Sequence, residues 1–214
     1  ISNSSTFYLN GFSNMLNLSL FDETLSNQNG SLLEGKERNC ISLIINFGDE
    51  VSYKFHRTKI INKHAISYEN AGNLMEKNSD FKTFIILLEK YWGKINDSHE
   101  LIEKMMIYYN SKMGEELKSR NINFPIRIHK GINKDLFERY KYSKDISRMD
   151  EVMKKICFHS AEYVNCMNCD DYLHYGLDIS NYTHSSSPLR RSIDYIVQRI
   201  FSHNKSYDID EICQ

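Results

Sequence analysis

Alternating hydrophobic and polar residues in the first quarter of the chain predict a pair of β-strands. Residues 41–47 are rich in β-branched side chains and alternate in part, and residues 51–57 alternate strictly. The intervening Gly48-Asp49-Glu50 is typical of a hairpin turn. Further strands are predicted at Phe7 and Ile126. We expect these strands to form a mixed, mostly antiparallel sheet.

Apolar residues at helical spacing predict helices in the rest of the chain. Residues 81–94, for example, place Phe81, Leu88 and Trp92 on one face. Ser67 and Ser98 are suited to cap two of the helices. The predicted helices begin at Tyr68, Phe81, Ser98, Lys134, Met149 and Pro188. Strands and helices together predict an α+β fold, with the helices packed around the sheet.

Composition narrows the class of protein. The 214 residues, 41% of them hydrophobic, are enough for a globular domain with its own core. The formal net charge of −1 shows no basic excess, so any nucleic-acid site must be local. No apolar run is long enough to cross a bilayer, and we expect no membrane partner. Five irregularly spaced cysteines indicate reduced thiols in an intracellular, cytoplasmic or nuclear, compartment.

A polar loop near the C-terminus leads into a helical pattern. Residues 185–187 are serines suited to cap a helix, and Pro188 suits its first position. Arg190 and Arg191 would then lie in the first turn, where cations oppose the helix dipole. A phosphate held between the helix terminus and the arginines would explain that placement. The alternative is a capped surface helix with two solvated arginines.

This loop lies within a longer run that resembles a known signature. The run consists of His174-Tyr175-Gly176-Leu177, Tyr182-Thr183-His184, Ser187-Pro188, Arg190-Arg191, Asp194 and Arg199. It resembles the signature of the RNB domain, the catalytic domain of the RNase II and RNase R exoribonucleases. The departures from the family pattern are Ser185, Ser186, Leu189, Ser192 and Gln198. The resemblance in element order extends over nearly the whole chain.

The resemblance implies 3′-to-5′ hydrolysis of single-stranded RNA, with release of nucleoside monophosphates and with magnesium as cofactor. By its place in the signature, Arg190 would be the catalytic arginine that stabilises developing charge. Asp194 would orient an arginine. Arg191 and Arg199 would support the phosphate path or the loop. The signature residues expected to bind RNA are His184, Ser187, Arg191 and Arg199.

Three residues outside the signature are further RNA-binding candidates by the same resemblance. Tyr68 matches an aromatic position suited to stacking on a base, although it could simply pack the first turn of its helix. Glu103 and Asn110 match a family helix and would contact RNA sugars or the signature loop. Their alternative role is to cap or bridge neighbouring helices.

The family pattern also shows what this sequence lacks. The magnesium ligands of RNB domains form an aspartate motif upstream of the strand at Phe7, and Asp170-Asp171 does not reproduce it. A family hairpin is missing between Lys94 and Ser98, either deleted or lost where the sequence joins across a gap. We expect residues 1–214 to be a single partial RNB-like domain, with the metal ligands and flanking OB-type domains outside it.

Two functions remain open at this stage. In the first, the full-length protein is an active exoribonuclease. In the second, it is a degenerate RNB-like protein that binds RNA or a ribonucleoprotein complex without cutting, as the altered signature and missing hairpin favour. A larger ribonucleoprotein or exosome-like assembly is the expected partner. A scaffold that binds only proteins would show no RNA binding at all.

A group of cysteines suggests a separate metal site. Cys157, Cys166 and Cys169 lie near His174 in the sequence and could hold zinc. The Cys-x-x-Cys spacing of Cys166 and Cys169 is not repeated elsewhere as a second pair of zinc ligands, so the alternative is a set of free thiols.

Overall fold

The computed structural model describes residues 7–9, 16–18, 20–131, 159–168, 172–203 and 206–213, the first two ranges by their backbone alone. The helices predicted to begin at Lys134 and Met149 lie outside these described residues. Cys157, Cys169 and the Asp170-Asp171 pair also lie outside them.

The strands pair two by two, each pair antiparallel. They are β1 (Phe7–Leu9), β2 (Leu16–Leu18), β3 (Glu37–Phe47), β4 (Val51–Ile61), β5 (Pro125–Ile128), β6 (Glu162–Asn165), β7 (Leu173–His174) and β8 (Ile179–Ser180). Among the described residues the pairs are β1–β2, β3–β4, β5–β6 and β7–β8. The longest pair, β3–β4, keeps one register from Glu37 opposite Ile61 to Phe47 opposite Val51.

Five α-helices are described. They are α1 (Tyr68–Lys77), α2 (Ser79–Trp92), α3 (Ser98–Ser119), α4 (Ser192–His203) and α5 (Ile209–Cys213). A short segment with π-helical hydrogen bonding, Thr24–Gly30, precedes β3.

The chain divides into two compact units. Unit 1 comprises the described residues up to Tyr109 together with Ser186–Gln198, and unit 2 those of Asn110–Ser185 and Arg199–Gln214. The core of unit 1 is formed by Ile85, Leu88, Ile95 and Leu101, with Phe47, Met75, Phe81 and Trp92 packed against it. The most deeply buried hydrophobic residues of unit 2 are Met113, Leu117, Phe124, Ile126, Ile200 and Ile209.

The predicted α+β class is confirmed, and the hairpin of β3 and β4 forms as the alternation indicated. The structure differs from the prediction of one sheet. The strand at Phe7 pairs with β2, and the strand at Ile126 pairs with β6. The β6 strand follows β5 only after more than thirty residues, so local sequence patterns could not identify it as the partner.

The helix starts follow from their caps. Ser67 caps α1 as predicted, since its hydroxyl accepts from the Asn70 N–H at 3.2 Å. The α2 helix begins two residues before Phe81 because the side chain of Asn78 caps it. The prediction that Ser98 caps α3 is wrong: Asp97 accepts from the Glu100 N–H at 2.8 Å.

The prediction that the last signature helix begins at Pro188 is also wrong. The α4 helix begins at Ser192, and Pro188 lies in a preceding turn. The N–H groups of Arg190 and Arg191 both donate to the Ser187 carbonyl at 3.2 Å in that turn. Neither arginine therefore opposes the dipole from inside the helix. Asp194 occupies the first turn instead, where a negative charge is favourable.

The connection between α2 and α3, where the family pattern led us to expect a hairpin, is short and held at both sides. It runs from Gly93, whose φ of 74° is in the left-handed region, through buried Ile95. The Ile95 N–H donates to Glu89 Oε1 at 3.0 Å, and Lys104 Nζ donates to the Trp92 carbonyl at 2.8 Å. The chain thus passes directly from α2 to α3.

Within the described part of the chain, no helix combines the length and the hydrophobicity that crossing a membrane requires.

Candidate functional site

The first half of the signature run is anchored to α3 through Asn110, and all of these residues belong to unit 2. Asn110 is only 2% exposed. Its Nδ2 donates to the Tyr182 hydroxyl at 3.0 Å, and its Oδ1 accepts from the Ser185 N–H at 3.0 Å. Of the two contacts predicted for Asn110, the structure therefore shows the one to the signature loop.

A second anchor ties the same segment to β5. The Arg127 N–H donates to the Tyr182 carbonyl at 2.7 Å. Thr183 is fully buried, and its hydroxyl donates to the Pro125 carbonyl at 2.6 Å. Tyr182 and Thr183 thus position the segment from inside unit 2.

Between these anchored residues, His184 is half-buried and held by an aromatic neighbour. The Tyr163 hydroxyl lies 2.5 Å from His184 Nδ1, and the Arg127 guanidinium lies 5.0 Å from the Tyr163 ring centroid. When the hydroxyl donates to Nδ1, the proton of the neutral imidazole is at Nε2. That arrangement suits a hydrogen-bond donor to RNA. The RNA-binding role of His184 stays a prediction.

Two further histidines lie beside this segment in unit 2. The ring centroids of His129 and His174 are 5.4 Å apart with near-parallel planes. His129 Nδ1 accepts from the Gly176 N–H at 3.0 Å. Burial lowers the pKa of His174, and the nearby His129 and Arg127 lower it further. His174 is therefore neutral at physiological pH.

The second half of the run, in unit 1, is organised by the carboxylate of Asp194. This side chain is fully buried, and its Oδ1 accepts from the Ser187 N–H at 2.7 Å and from Arg191 Nη2 at 2.9 Å. Burial raises the pKa of Asp194, and the Arg191 charge and the Ser187 N–H oppose that rise. The prediction that Asp194 orients an arginine is confirmed, and the arginine is Arg191.

The remaining signature arginines differ in exposure. Arg190 lies on the same turn with an exposed side chain, and its charge is close enough to lower the pKa of Asp194. Arg199 is half-buried on α4 in unit 2. Within the turn, Arg191 is thus bound by Asp194, whereas Arg190 is exposed to solvent, as a phosphate-binding role requires.

The other two candidates outside the signature, Tyr68 and Glu103, are exposed residues of unit 1. Tyr68 is 48% exposed, and its ring stacks on that of His99 at a centroid distance of 4.0 Å. One face of the Tyr68 ring is thus occupied by protein. Glu103 is exposed on α3. Their RNA-binding roles stay predictions.

The family assignment follows from comparison with known proteins. The family model described as the RNB domain matches residues 88–206, which is more than half of the chain and includes the whole signature run. The chain belongs to the RNB domain family.

The RNB relatives include bacterial ribonucleases. Ribonuclease R of Chlamydia pneumoniae is 23% identical over 88% of this chain, and Ribonuclease R of Chlamydia trachomatis is 22% identical over 91%. The chain spans 37% of the length of each of these curated relatives.

Solved RNB structures share the fold. The apo form of Mycoplasma genitalium RNase R matches with a TM-score of 0.77 at 17% identity, covering 98% of this chain and 45% of that one. Yeast Ssd1, described as a pseudonuclease, matches with a TM-score of 0.77 at 16% identity, covering 98% and 34%. At these identities the likeness shows the fold alone, and it extends to a nuclease and a pseudonuclease equally.

The described residues do not fit a magnesium site. Within the ranges that the structure describes, no group of three or more histidine, cysteine, aspartate or glutamate side chains could hold a metal ion. The buried Cys166 thiol accepts from the Phe124 N–H at 3.3 Å. Zinc binding stays a prediction, because Cys157 and Cys169 lie outside the described residues.

Sequence reasoning missed three residues that shape this site. Gly114 and Lys118 contact Asn181 from α3, and Tyr163 lies against His184. A glycine inside a long helix, four residues after Asn110, was an available signal, since glycine there destabilises a helix unless close packing requires it. No sequence pattern marked Tyr163 as the partner of His184.

Proposed function

We propose that the protein containing this chain is a 3′-to-5′ hydrolytic exoribonuclease that acts on single-stranded RNA and releases nucleoside monophosphates. The observation that carries the proposal is the signature turn, in which Asp194 binds Ser187 and Arg191 while Arg190 stays exposed. RNB family membership and the ribonuclease R relatives support it. One solved RNase R with the same fold is in complex with single-stranded RNA.

In this proposal the signature arginines have different roles. The exposed guanidinium of Arg190 stabilises the negative charge that develops on the scissile phosphate. Arg191 is held by the Asp194 carboxylate and keeps the turn in shape. His184, Ser187 and Arg199 contact the RNA backbone. Tyr68 and Glu103 bind RNA away from the scissile phosphate.

The proposal includes a magnesium requirement, with metal ligands outside the described residues. We further propose that residues 1–214 form a single partial RNB-like domain and that the protein is intracellular. A larger ribonucleoprotein or exosome-like assembly is its proposed partner.

The second candidate is an RNB-like protein that binds RNA without cutting it. The departures Ser185, Ser192 and Gln198 from the family signature favour this function, and the fold match to the pseudonuclease Ssd1 is compatible with it. The lack of a metal-binding group among the described residues is compatible with it.

The decisive experiment measures mononucleotide release from 5′- and 3′-labelled poly(A) by the full-length protein, with magnesium and with EDTA. We expect magnesium-dependent release from the 3′ end. Arg190→Ala should lower kcat by about 10²–10³-fold, as removal of a charge-stabilising donor does. Arg57→Ala, an exposed arginine on β4, is the matched control and should retain activity.

RNA binding measured in parallel separates the two candidates. Binding by wild type without mononucleotide release supports the pseudonuclease and rules out the enzyme. If wild type shows no RNA binding and no mononucleotide release, both candidate functions are ruled out and a scaffold that binds only proteins remains. If Arg190 contacts a phosphate, Arg190→Ala should also reduce the salt dependence of binding by about one counterion.

A further inference from the structure

One face of α3 is built to receive the start of the signature run. Asn110, Gly114 and Lys118 follow one another at intervals of four residues, so they lie on the same side of the helix. All three contact residues 181–185 within unit 2, and we call them the docking face.

Gly114 is the point of closest approach. A Cβ atom added to it would lie 3.0 Å from the Asn181 carbonyl carbon and 3.7 Å from the Thr183 nitrogen, and closer still to the Asn181 carbonyl oxygen. These are backbone atoms, which cannot rotate away as a side chain can. Only glycine lets the segment lie this close to the helix.

The ends of the docking face hold the segment on both sides of this approach. Lys118 Nζ donates to Asn181 Oδ1 at 2.8 Å and lies 3.5 Å from the centroid of the Tyr172 ring. Asn181 has a φ of 59°, a left-handed conformation that asparagine tolerates better than most residues. At the other end, Asn110 binds Tyr182 and Ser185.

His184 therefore lies in a segment that is fixed before and after it. Tyr182 and Ser185 are bound by one buried asparagine, and Thr183 is bound by the Pro125 carbonyl. The backbone of the segment is itself bound at two points, because the Ser185 N–H donates to Asn110 and the Tyr182 carbonyl accepts from the Arg127 N–H, and these bonds set the path of the chain. The same segment continues after Ser185 into the turn that carries Arg190.

We propose that the docking face positions the signature segment for catalysis, and that Asn110 and Gly114 are positioning residues that never touch RNA. The proposal rests on the proposed exoribonuclease function. Its physical basis is that displacing a reacting group by about 1 Å can lower a rate by about 10²-fold. A Cβ at Gly114 must displace the segment or the helix to fit.

The chain offers a matched pair of substitutions for the test. Gly114→Ala and Gly72→Ala make the same chemical change inside an α-helix, but a Cβ on Gly72 would meet nothing within 4 Å. Both are made in the full-length protein. The measurements are kcat and KM on poly(A), the melting temperature, and amide hydrogen exchange of residues 181–185.

We expect Gly114→Ala to lower kcat by about tenfold or more, with KM within about threefold of wild type. Hydrogen exchange of residues 181–185 should accelerate in this variant. Gly72→Ala should match wild type in both measurements. A folded Gly114→Ala with the kcat of wild type, or an equal loss in Gly72→Ala, overturns the proposal.

If Gly114→Ala does not fold, the positioning role of the docking face is tested with Asn110→Ala and Tyr182→Phe. Tyr182→Phe deletes only the hydroxyl that Asn110 binds. A loss of kcat in a variant with an unchanged melting temperature supports positioning, and unchanged kcat in both overturns it.

If wild type releases no mononucleotides, the proposed function fails, but the positioning of the segment is still tested by hydrogen exchange. Faster exchange of residues 181–185 in Gly114→Ala, absent in Gly72→Ala, then supports it. Equal exchange in the two variants overturns it.

Discussion

The carboxylate of Asp194 determines the local geometry around the signature arginines. A fully buried carboxylate costs stability, and the raised pKa of Asp194 shows that burial outweighs its partners. Since the folded state binds this proton more tightly than the unfolded chain, the stability contributed by Asp194 is present at low pH. It is lost as the pH rises through the raised pKa. Asp194 therefore serves the geometry of the turn rather than the stability of the fold at neutral pH.

His174 has the opposite linkage and permits a prediction at the scale of one residue. Its pKa lies below 6.5, so the unfolded chain binds the proton more tightly than the folded state. We expect His174 to contribute a loss of free energy of unfolding as the pH falls from about 7.5 to about 5.5. His174→Gln should reduce this difference, as measured by urea unfolding at both pH values.

The matched control is His64→Gln, which makes the same change at an exposed histidine of unit 1. It should leave the pH dependence as in wild type. If His174→Gln and wild type lose equal stability on acidification, the assignment to His174 is wrong.

Among the elements, α1 and α2 show how a single side chain divides one apolar pattern into two helices. Asn78 ends α1, and its Oδ1 accepts from the Phe81 N–H at 2.8 Å to begin α2. Without this bond, an N–H group in the first turn of α2 would lose its partner.

We therefore expect Asn78→Ala to lower the free energy of unfolding by about 1 kcal/mol. Asn73→Ala, at an exposed position inside α1, is the matched control and should change it by less than about 0.5 kcal/mol. Urea unfolding of both variants measures the difference. Equal effects of the two substitutions would show that the cap contributes nothing.

At the scale of the whole molecule, apolar residues that look equivalent in the local sequence differ in how deeply they are buried. Leu88 and Ile86 are neighbours on α2, yet Leu88 is 2% exposed and Ile86 is 57% exposed. Leu88→Ala should lower the free energy of unfolding by about 2–5 kcal/mol through the cavity it leaves in the core of unit 1.

Ile86→Ala removes a side chain of equal size from the surface and should change stability by less than about 0.5 kcal/mol. Denaturant unfolding of both variants tests the contrast. A comparable loss in Ile86→Ala would contradict the exposure of Ile86 on α2.

Local patterns predicted those parts of the fold whose partners are close in sequence. The β3–β4 hairpin followed from alternation and a short turn, and the start of α1 followed from the Ser67 cap. The start of α4 was missed because Asp194 reaches back to Ser187, a contact that no periodicity records. The partner of β5 was missed because β6 is distant along the chain.

The candidate site divides in the same way. The signature residues, including Arg190 and Asp194, were found from the sequence because their types and spacing are specific. Gly114 and Tyr163 were not, since their importance depends on contacts made across the fold.

The sequence by itself determined the family, the α+β class and the signature, because these depend on residue types, on periodicity and on short-range spacing. The tertiary structure alone decided that Arg191 is bound by Asp194 while Arg190 is exposed, and that α3 offers Asn110 and Gly114 to the signature segment. The physical reason is that burial and hydrogen bonding depend on which distant segments pack together.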